Sequence, residues 1–233
     1  SQTLRKVYDP FGEGVRTEKV IGGLRTIRDV LQTSDGAVWL ATEGGALRIA
    51  EGDTTRFGPE SGIPSGEIRG LHEDADGRLW LGSYGVGVVR FEDPGFRIVG
   101  PDDGLAEGFV SQILEDDAGN FWMSGNRGVQ RVARSDLNAF LEGETKRVSS
   151  VLYDRNAGLR NPESTGWKAV RSDDGRLWFP TFFGAGVVHP GEALELERTP
   201  PLVSITRAIA GDTTLAFPRE LVTAELDLSL IHF

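Results

Sequence analysis

The sequence has 233 residues, of which 39% are hydrophobic and 26% are charged, and this composition excludes a chain that is disordered throughout. Its 35 acidic and 25 basic side chains give a net charge of −10, which disfavours binding to nucleic-acid phosphates. The chain has no cysteine, which excludes disulfides and thiol catalysis, and no apolar run near the roughly 18 residues of a bilayer span. Glycine accounts for 31 of the 233 residues, which is nearly twice its usual share of about 7%. This excess indicates many tight turns and an all-β fold.

Four tryptophans mark a repeat along the chain. The steps between consecutive members of the set Trp39, Trp80, Trp122 and Trp178 are 41, 42 and 56 residues. Each tryptophan follows a turn whose glycine is expected to supply the positive φ of a hairpin. These glycines are Gly36, Gly77, Gly119 and Gly175. We interpret both sets as structural, with each tryptophan packed between neighbouring repeat units.

Each repeat shows the same order of short strands. In chain order, the strands that precede the turn are Ile27–Leu31, Ile68–His72, Val110–Leu114 and Lys168–Val170. The tryptophan strand follows, then a glycine-rich turn and a third strand, and then a fourth strand with an aromatic residue. The fourth strands are Arg56–Phe57, Phe96–Ile98 and Val151–Tyr153. Four short strands in about 42 residues predict the blade of a β-propeller, and such blades must stack to bury their faces.

Three segments depart from this order. Leu4–Tyr8 matches the fourth strand of a blade whose other strands are missing. Within the longest step, Ser135–Gly143 predicts one short helix with a serine N-cap and a terminal glycine. After residue 200 the pattern changes, and the stretches 202–205 and 224–230 predict the first strands of a β-sandwich. We therefore expect part of a larger propeller in residues 1–199, with a helical insertion about 135–143, and the N-terminal part of a β-sandwich in residues 200–233.

The repeat resembles the two-component regulator propeller repeat. That pattern runs from an inner strand through Asp-x-x-Gly-x-Leu-Trp-Leu-Gly-Thr to a Gly-Leu-x-Arg strand, an aromatic strand and a Gly-Leu-Pro turn. Ile68–Pro94 carries it most clearly, and Gly62-Ile63-Pro64 stands for the turn. The segment from Pro200 resembles the start of the three-tyrosine β-sandwich that follows this propeller.

The resemblance implies a function for the chain. It implies the periplasmic sensor region of a transmembrane bacterial signalling protein, with a histidine kinase, a hybrid kinase or a diguanylate cyclase as output. It also implies a small-molecule ligand such as an oligosaccharide and a homodimer in the full-length protein. From this segment we expect no catalysis, no cofactor, and no contact with nucleic acid or membrane.

Two alternatives stay open at this point. The chain is also compatible with a secreted propeller that acts as an interaction scaffold, and less well with a glycan hydrolase or lyase. The acidic turns are similar to the Asp-box of sialidases, but the sequence shows no tyrosine with a distinctive partner motif. Its three histidines have no metal spacing, and it contains no Gly-x-Ser-x-Gly motif.

Candidate ligand contacts come from two aligned columns at the start of the inner strands. One column holds Arg28, Arg69, Ser111 and Trp167, and the next holds Asp29, Gly70, Gln112 and Lys168. Strand side chains alternate, so only one column is expected to face the channel at a given level. Varying polar residues on a rigid scaffold suit a binding entrance, and they also suit any water-filled channel. The candidate ligand-binding residues are Arg28, Arg69, Gln112, Trp167 and Lys168.

The acidic turns, such as residues 73–77, invite a comparison with calcium loops. They lack the alternating ligands, central glycine and distal glutamate of an EF-hand. We expect their aspartates to accept hydrogen bonds from backbone amides of the same turn, and we expect no metal site.

Overall fold

The computed structural model describes residues 2–8, 16–24, 26–63, 67–198, 207–210 and 213–216. The chain divides into two compact units, residues 1–190 and 191–233. The first unit contains four successive antiparallel sheets in a four-blade propeller arrangement. The prediction of an all-β propeller is therefore confirmed.

A separate two-stranded sheet comes before the blades in the chain. Strand β1 (Gln2–Tyr8) pairs antiparallel with β2 (Arg16–Leu24). The sequence predicted β1 as a strand but did not predict β2. Among the described residues, β2 is the sheet partner of β1.

The first three blades have four strands each, in simple sequential order. Blade 1 consists of β3 (Ile27–Gln32), β4 (Val38–Thr42), β5 (Gly45–Ala50) and β6 (Asp53–Phe57). Blade 2 consists of β7 (Ile68–Glu73), β8 (Leu79–Ser83), β9 (Val88–Glu92) and β10 (Gly95–Val99). Blade 3 consists of β11 (Gln112–Glu115), β12 (Asn120–Ser124), β13 (Val129–Ala133) and β14 (Ser150–Tyr153).

Among the described residues, blade 4 has three strands: β15 (Val170–Arg171), β16 (Leu177–Thr181) and β17 (Gly184–Val188). Its first strand begins later than the predicted Lys168–Val170. The reason is a turn before it, in which Gly166 has a φ of 78° and the Thr165 hydroxyl accepts a hydrogen bond from the Trp167 amide at 3.3 Å. Lys168 therefore precedes the strand.

Neighbouring blades pack through large apolar side chains. Trp39 stacks on Phe57 at 5.5 Å between ring centroids and meets Phe91 of blade 2 edge to face at 4.8 Å. Trp80 meets Phe121 of blade 3 in the same way at 5.2 Å. Burial of one such phenylalanine stabilises the fold by about 1.5–3 kcal/mol. Trp39, Trp80 and Trp122 are buried, whereas Trp178 is partly exposed.

The first strands of neighbouring blades also pack side by side, β3 beside β7 and β7 beside β11. Two glycines make the contact between blades 2 and 3 this close. A Cβ at Gly70 would lie 2.6 Å from the Ser111 carbonyl oxygen, and a Cβ at Gly82 would lie 2.6 Å from that of Val110. No side chain fits at either position unless the backbone moves.

The predicted insertion forms α1 (Arg134–Leu141), with Leu137 and Leu141 buried. The prediction of Ser135 as the N-cap is wrong. The N-cap is Ala133, because β13 runs directly into the helix, and it makes no side-chain capping bond. Arg134 consequently becomes the first helical residue, and its guanidinium forms ion pairs with Glu115 and Asp76 of blades 3 and 2.

The second unit contains most of α2 (Pro190–Arg198) and the hairpin of β18 (Arg207–Ala210) and β19 (Thr213–Ala216). Helix α2, which the sequence did not predict, begins with a proline, whose fixed φ suits a first helical position. The strands predicted at 202–205 and 224–230 lie outside the described residues. No helix in the described part of the chain is long and apolar enough to cross a membrane.

Candidate functional site

The propeller blades have two ends with different chemistry. We call the turns between first and second strands, residues 33–37, 74–78, 116–120 and 172–176, the turn end. We call the opposite end, where the first strands begin and the second strands stop, the bulge end. It includes residues 26–29, 43–45, 67–70, 84–87, 107–111 and 163–169.

At the turn end the aspartates bind their own turns, as the sequence predicted. The Asp74 carboxylate accepts hydrogen bonds from the amides of Asp76 and Arg78, each at 2.9 Å, and from the Trp80 indole nitrogen at 2.8 Å. Asp116 makes the equivalent bonds in blade 3, including one of 2.7 Å from the Trp122 indole nitrogen. One carboxylate thus holds the turn and the tryptophan of its blade together.

Further polar contacts at the turn end join neighbouring blades. Ser34 donates its amide and hydroxyl to the Glu73 carboxylate, and Arg171 pairs with Asp117. A hydrogen bond from Thr33 lowers the pKa of Asp35 to about 2. Glu73, Asp35 and Asp117 are therefore paired within the protein.

The bulge end is named for an irregularity in two first strands. The β3–β4 register shifts between Ile27 and Asp29, so Arg28 is an extra residue, and the β7–β8 register shifts in the same way around Arg69. A bulge breaks side-chain alternation and re-aims the extra side chain. The regular alternation on which the one-column expectation rests is therefore interrupted in blades 1 and 2.

The two bulged arginines share a carboxylate. Arg28 lies 2.7 Å from Glu43 and 3.3 Å from Glu67, and Arg69 Nε lies 2.8 Å from the same Glu67 oxygen. The Arg69 guanidinium also lies over the rings of Tyr84 and Phe109, at 5.0 and 5.4 Å from their centroids. Ion pairs and aromatic rings thus fix the orientation of the arginines.

Two other predicted contact residues take part in contacts between blades. The buried Asp29 carboxylate accepts Lys168 Nζ at 2.8 and 2.9 Å and the Leu71 amide at 3.0 Å. These bonds join the start of blade 4 to the first strands of blades 1 and 2. Gln112 is buried, and its side-chain oxygen accepts the Ala169 amide at 3.4 Å. Of the five candidate ligand-binding residues, Arg28, Arg69 and Trp167 thus take no part in these hydrogen bonds between blades.

The bulge end also carries polar atoms whose hydrogen-bonding capacity is unused. Among the described side chains, Arg28 Nε and Ser111 Oγ are buried and have no hydrogen-bond partner. Glu107, also buried, accepts the amides of Asn126 and Arg127, and burial raises the pKa of its carboxyl. Buried polar groups in folded proteins are nearly all hydrogen-bonded, many of them to buried water, so we expect a water at Ser111 and a water or ligand at Arg28.

Exposed aromatic side chains complete this end. Trp167 is 75% exposed, and Tyr84 is 49% exposed. Phe182 is 60% exposed, and its amide donates a 3.3 Å hydrogen bond to the Glu163 carbonyl, which holds its loop beside the segment that leads to Trp167. Aromatic rings and ionic groups at one mouth form a surface that suits an amphipathic ligand.

The sequence did not predict four residues of this site, Glu43, Glu67, Tyr84 and Phe109. A signal was available, because two arginines aligned at equivalent positions of a buried strand need a carboxylate partner. Glu67 stands directly before the second of those strands. The two rings lie in loops, where the repeat pattern gives no register.

The bulge end offers hydrogen-bonding side chains and aromatic rings that can bind a ligand. In the described part of the chain, no three His, Asp or Glu side chains are placed to hold a metal ion. His72 packs between blades 2 and 3, where Nε2 lies 3.3 Å from Glu115, and burial lowers the pKa of its imidazole.

Comparison with known proteins agrees with the repeat. Residues 62–85 match the family model described as "Two component regulator propeller". The resemblance inferred from the tryptophan repeat is confirmed by this match. No curated protein sequence matches the chain.

Solved structures share the fold. The extracellular domain of the hybrid two component system BT3049 from B. thetaiotaomicron is 21% identical with a TM-score of 0.65, covering 92% of this chain and 32% of that one. The corresponding domain of BT4673 from the same organism is 18% identical with a TM-score of 0.61, covering 73% and 24%. Virginiamycin B lyase from Staphylococcus aureus is 16% identical with a TM-score of 0.54, covering 79% and 62%. The chain therefore spans about a third of the BT3049 domain.

Proposed function

We propose that this chain, which carries a two-component regulator propeller repeat at residues 62–85, is the extracytoplasmic sensing module of a transmembrane bacterial signalling protein. In this proposal it lies in the periplasm and relays ligand occupancy or subunit arrangement to a cytoplasmic histidine kinase or diguanylate cyclase. Support comes from the family match and from the likeness in fold to the BT3049 and BT4673 extracellular domains. The observation that carries the proposal is the chemistry of the bulge end.

The bulge end fits a ligand with both oxygen atoms and an apolar face. Arg28 is partly exposed and its Nε has no hydrogen-bond partner in the described chain, and Trp167 presents an exposed ring. A sugar has hydroxyl oxygens around its edge and C–H groups on its face, and it therefore matches hydrogen-bonding side chains beside an aromatic ring. We assign an oligosaccharide as the ligand class.

The same geometry gives occupancy a route into the propeller. Trp167 directly precedes Lys168, whose ammonium group is bonded to Asp29 of blade 1, and Asp29 also accepts the Leu71 amide of blade 2. A ligand on Trp167 therefore acts on a segment that is tied to three blades. It shifts a signalling equilibrium only by the difference between its affinities for the two states.

Thermal unfolding in the presence of oligosaccharides tests the proposal. We expect one class in a panel of neutral and uronic-acid-containing oligosaccharides to raise the Tm by several degrees, because a ligand that binds only the folded state stabilises it. Trp167→Ala should weaken that binding at least about tenfold and leave the Tm without ligand nearly unchanged, since the ring is exposed. Val30→Ala, which removes an apolar side chain that is 48% exposed on β3 and outside the bulge end, is the control and should bind normally. A panel without any shift would contradict the proposal.

We further infer that this segment does not itself catalyse a reaction. The likeness to virginiamycin B lyase, at 16% identity, extends to the fold. In the described chain His72 is held against Glu115 between two blades, away from the bulge end. Turnover of polysaccharide substrates by the purified chain would contradict this inference and favour a propeller hydrolase or lyase.

A further inference from the structure

Blades 1 and 2 each carry an arginine directly opposite their tryptophan. Arg48 of β5 pairs in register with Trp39 of β4, and Arg90 of β9 pairs in the same way with Trp80 of β8. Directly opposed residues share one face of a sheet, and each tryptophan packs against a phenylalanine of the next blade. The arginines therefore border two equivalent grooves. We call the one between blades 1 and 2 the first groove and the one between blades 2 and 3 the second groove.

Helix α1 covers the second groove. Its Leu137 and Leu141 are buried in the same hydrophobic cluster as Trp80. Between them in sequence, Asn138 accepts a hydrogen bond of 2.7 Å from Arg90 Nη1 through its side-chain oxygen. The helix thus supplies apolar side chains for the tryptophan and an oxygen atom for the arginine.

No described helix covers the first groove. Strands β9 and β10 are joined by a short turn at residues 93–94, whereas α1 stands between β13 and β14. The ring of Phe91 in blade 2 lies 4.8 Å from that of Trp39 and 5.5 Å from that of Phe57, measured between centroids. Aromatic rings therefore make here the apolar contact that the leucines of α1 make in the second groove.

The oxygen that Asn138 supplies has no described counterpart in the first groove. Arg48 donates a hydrogen bond to Asp35 through Nη2 at 3.0 Å, and no described residue accepts one from its Nη1. Arg90 also has a carboxylate partner, Glu92, and still binds Asn138. An arginine that is paired with one carboxylate can thus bind a second oxygen, because its fork has five N–H donors.

A cavity of about 470 Å³ lies in the first groove. This volume is within the range of roughly 300–1,000 Å³ that is usual for small-molecule sites. Arg48 and Thr55, which lie opposite each other on β5 and β6, line it from blade 1. Arg78 and the half-buried Phe91 line it from blade 2. The cavity thus combines guanidinium groups with an aromatic wall.

The charges around this cavity favour an anionic ligand. Asp35 and Glu73 also line it, but each already accepts hydrogen bonds within the protein. Asp93 is exposed at the turn, where water screens its charge. The side chains of Arg48 and Arg78 are 34% and 41% exposed. The two guanidinium groups are therefore the charged groups best placed to meet a ligand.

We propose that the first groove binds a small carboxylate that carries an apolar ring. One carboxylate oxygen accepts a hydrogen bond from Arg48 Nη1, as the Asn138 oxygen does from Arg90, and the ring lies against Phe91. A hydrogen bond between two charged groups is roughly twice as strong as a neutral one, so a carboxylate is favoured over an amide. This site is separate from the bulge end, and it does not depend on whether the bulge end binds an oligosaccharide.

Phenylacetate and its neutral counterpart phenylacetamide test the proposal, with binding followed by the chemical shifts of the protein amides. We expect saturable binding of phenylacetate with shifts at residues 48, 55 and 77–79, and binding of phenylacetamide at least about fivefold weaker. Arg48→Gln should weaken phenylacetate binding at least about tenfold with little change in Tm, since its ion pair is partly exposed. The control Arg56→Gln removes the same charge from the other face of β6 and should bind normally.

Three further variants locate the ligand. Thr55→Trp fills the space beside Arg48 without removing a charge and should abolish binding. Asp93→Asn removes a negative charge near the ligand and should strengthen binding about two- to threefold. Trp167→Ala, at the bulge end, should leave phenylacetate binding unchanged.

Three results would overturn the proposal. The first is the absence of phenylacetate binding to the unaltered chain. The second is equal affinity in the folded Arg48→Gln and Arg56→Gln variants, which would mean that the ligand does not contact Arg48. The third is a set of shifts confined to residues 163–169, which would place the ligand at the bulge end.

Discussion

The turn end and the bulge end of the propeller are built from the same repeat, yet their polar groups differ in how completely they are hydrogen-bonded. At the turn end Asp74 and Asp116 each bind two amides and an indole nitrogen of their own blade. At the bulge end Arg28 Nε and Ser111 Oγ are buried without a partner in the described chain. The hydrogen bonds that hold each turn to its tryptophan are thus made at the turn end. The residues of the bulge end can therefore differ between blades.

This difference has a local physical cause. A tight turn places backbone amides around one carboxylate, so the turn end depends on a few residues close together in sequence. The bulge end is assembled from loops of several blades, where Arg69 meets Glu67, Tyr84 and Phe109. Side chains there can change without loss of a turn. We therefore expect large stability effects for the turn-end aspartates and small ones for the arginines and exposed rings of the bulge end.

The largest effect is expected for Asp74→Ala. This change removes three hydrogen bonds and leaves the buried Trp80 indole nitrogen without an acceptor, which should lower the free energy of unfolding by about 2–4 kcal/mol. Urea unfolding measures it. Asp76→Ala in the same turn removes an exposed carboxylate and should cost about 1 kcal/mol or less. Equal losses in the two variants would contradict the assignment of the turn end as structural.

A smaller loss is expected for Gly82→Ala, between the two ends. The new Cβ would lie 2.6 Å from the Val110 carbonyl oxygen and 2.8 Å from its Cγ1, so blades 2 and 3 must separate at a cost of about 1–3 kcal/mol. Gly95→Ala is the control, because its Cβ would meet the Glu92 carbonyl oxygen at an ordinary 3.7 Å. A Gly82→Ala protein as stable as the control would show that the blades are less tightly packed.

A pH dependence should come from His72 near the turn end. Burial lowers the pKa of this imidazole, so the unfolded chain binds more protons as the pH falls through about 6.5. Stability should therefore be full above that pH and decrease below it. Urea unfolding from pH 8 to pH 5 measures the decrease, and His72→Gln should remove part of it. The carboxyl of Asp35, with a pKa of about 2, titrates well below this window. An unchanged slope in His72→Gln would assign the dependence to other groups.

The smallest change in stability is expected for Arg69→Lys at the bulge end. Lysine keeps the charge near Glu67 but loses the planar contact over Tyr84 and Phe109, which is worth about 0.5–1 kcal/mol. Oligosaccharide affinity should fall much further, by about tenfold, if the arginine is fixed in place for a ligand. A variant that loses stability without losing affinity would mean that the arginine is structural.

The fold could be predicted from sequence because its signals are local. The Trp80 strand, its acidic turn and its glycine recur within about 42 residues, and strand order follows from chain order. Ser135 failed as an N-cap because the preceding strand β13 continues into the helix, and the sequence does not reveal that continuity.

The site could be predicted only in part. Arg28 and Arg69 stand out by alignment, but their bulges depend on pairing with the second strands. The bond between Asp29 and Lys168 joins residues 139 positions apart, and periodicity cannot report such a contact. The sequence predicted Gln112 as a ligand contact because it does not reveal that this side chain is buried. The burial depends on blade 4, where the Ala169 amide donates a hydrogen bond to the Gln112 side chain.

Hydrogen exchange with and without the oligosaccharide panel tests the division between the two ends most directly. On binding, we expect slower exchange in residues 26–29, 67–70, 84–87, 107–111 and 163–169, and no change in residues 74–78 and 116–120. Protection confined to the turn end, or no protection anywhere with any member of the panel, would contradict it.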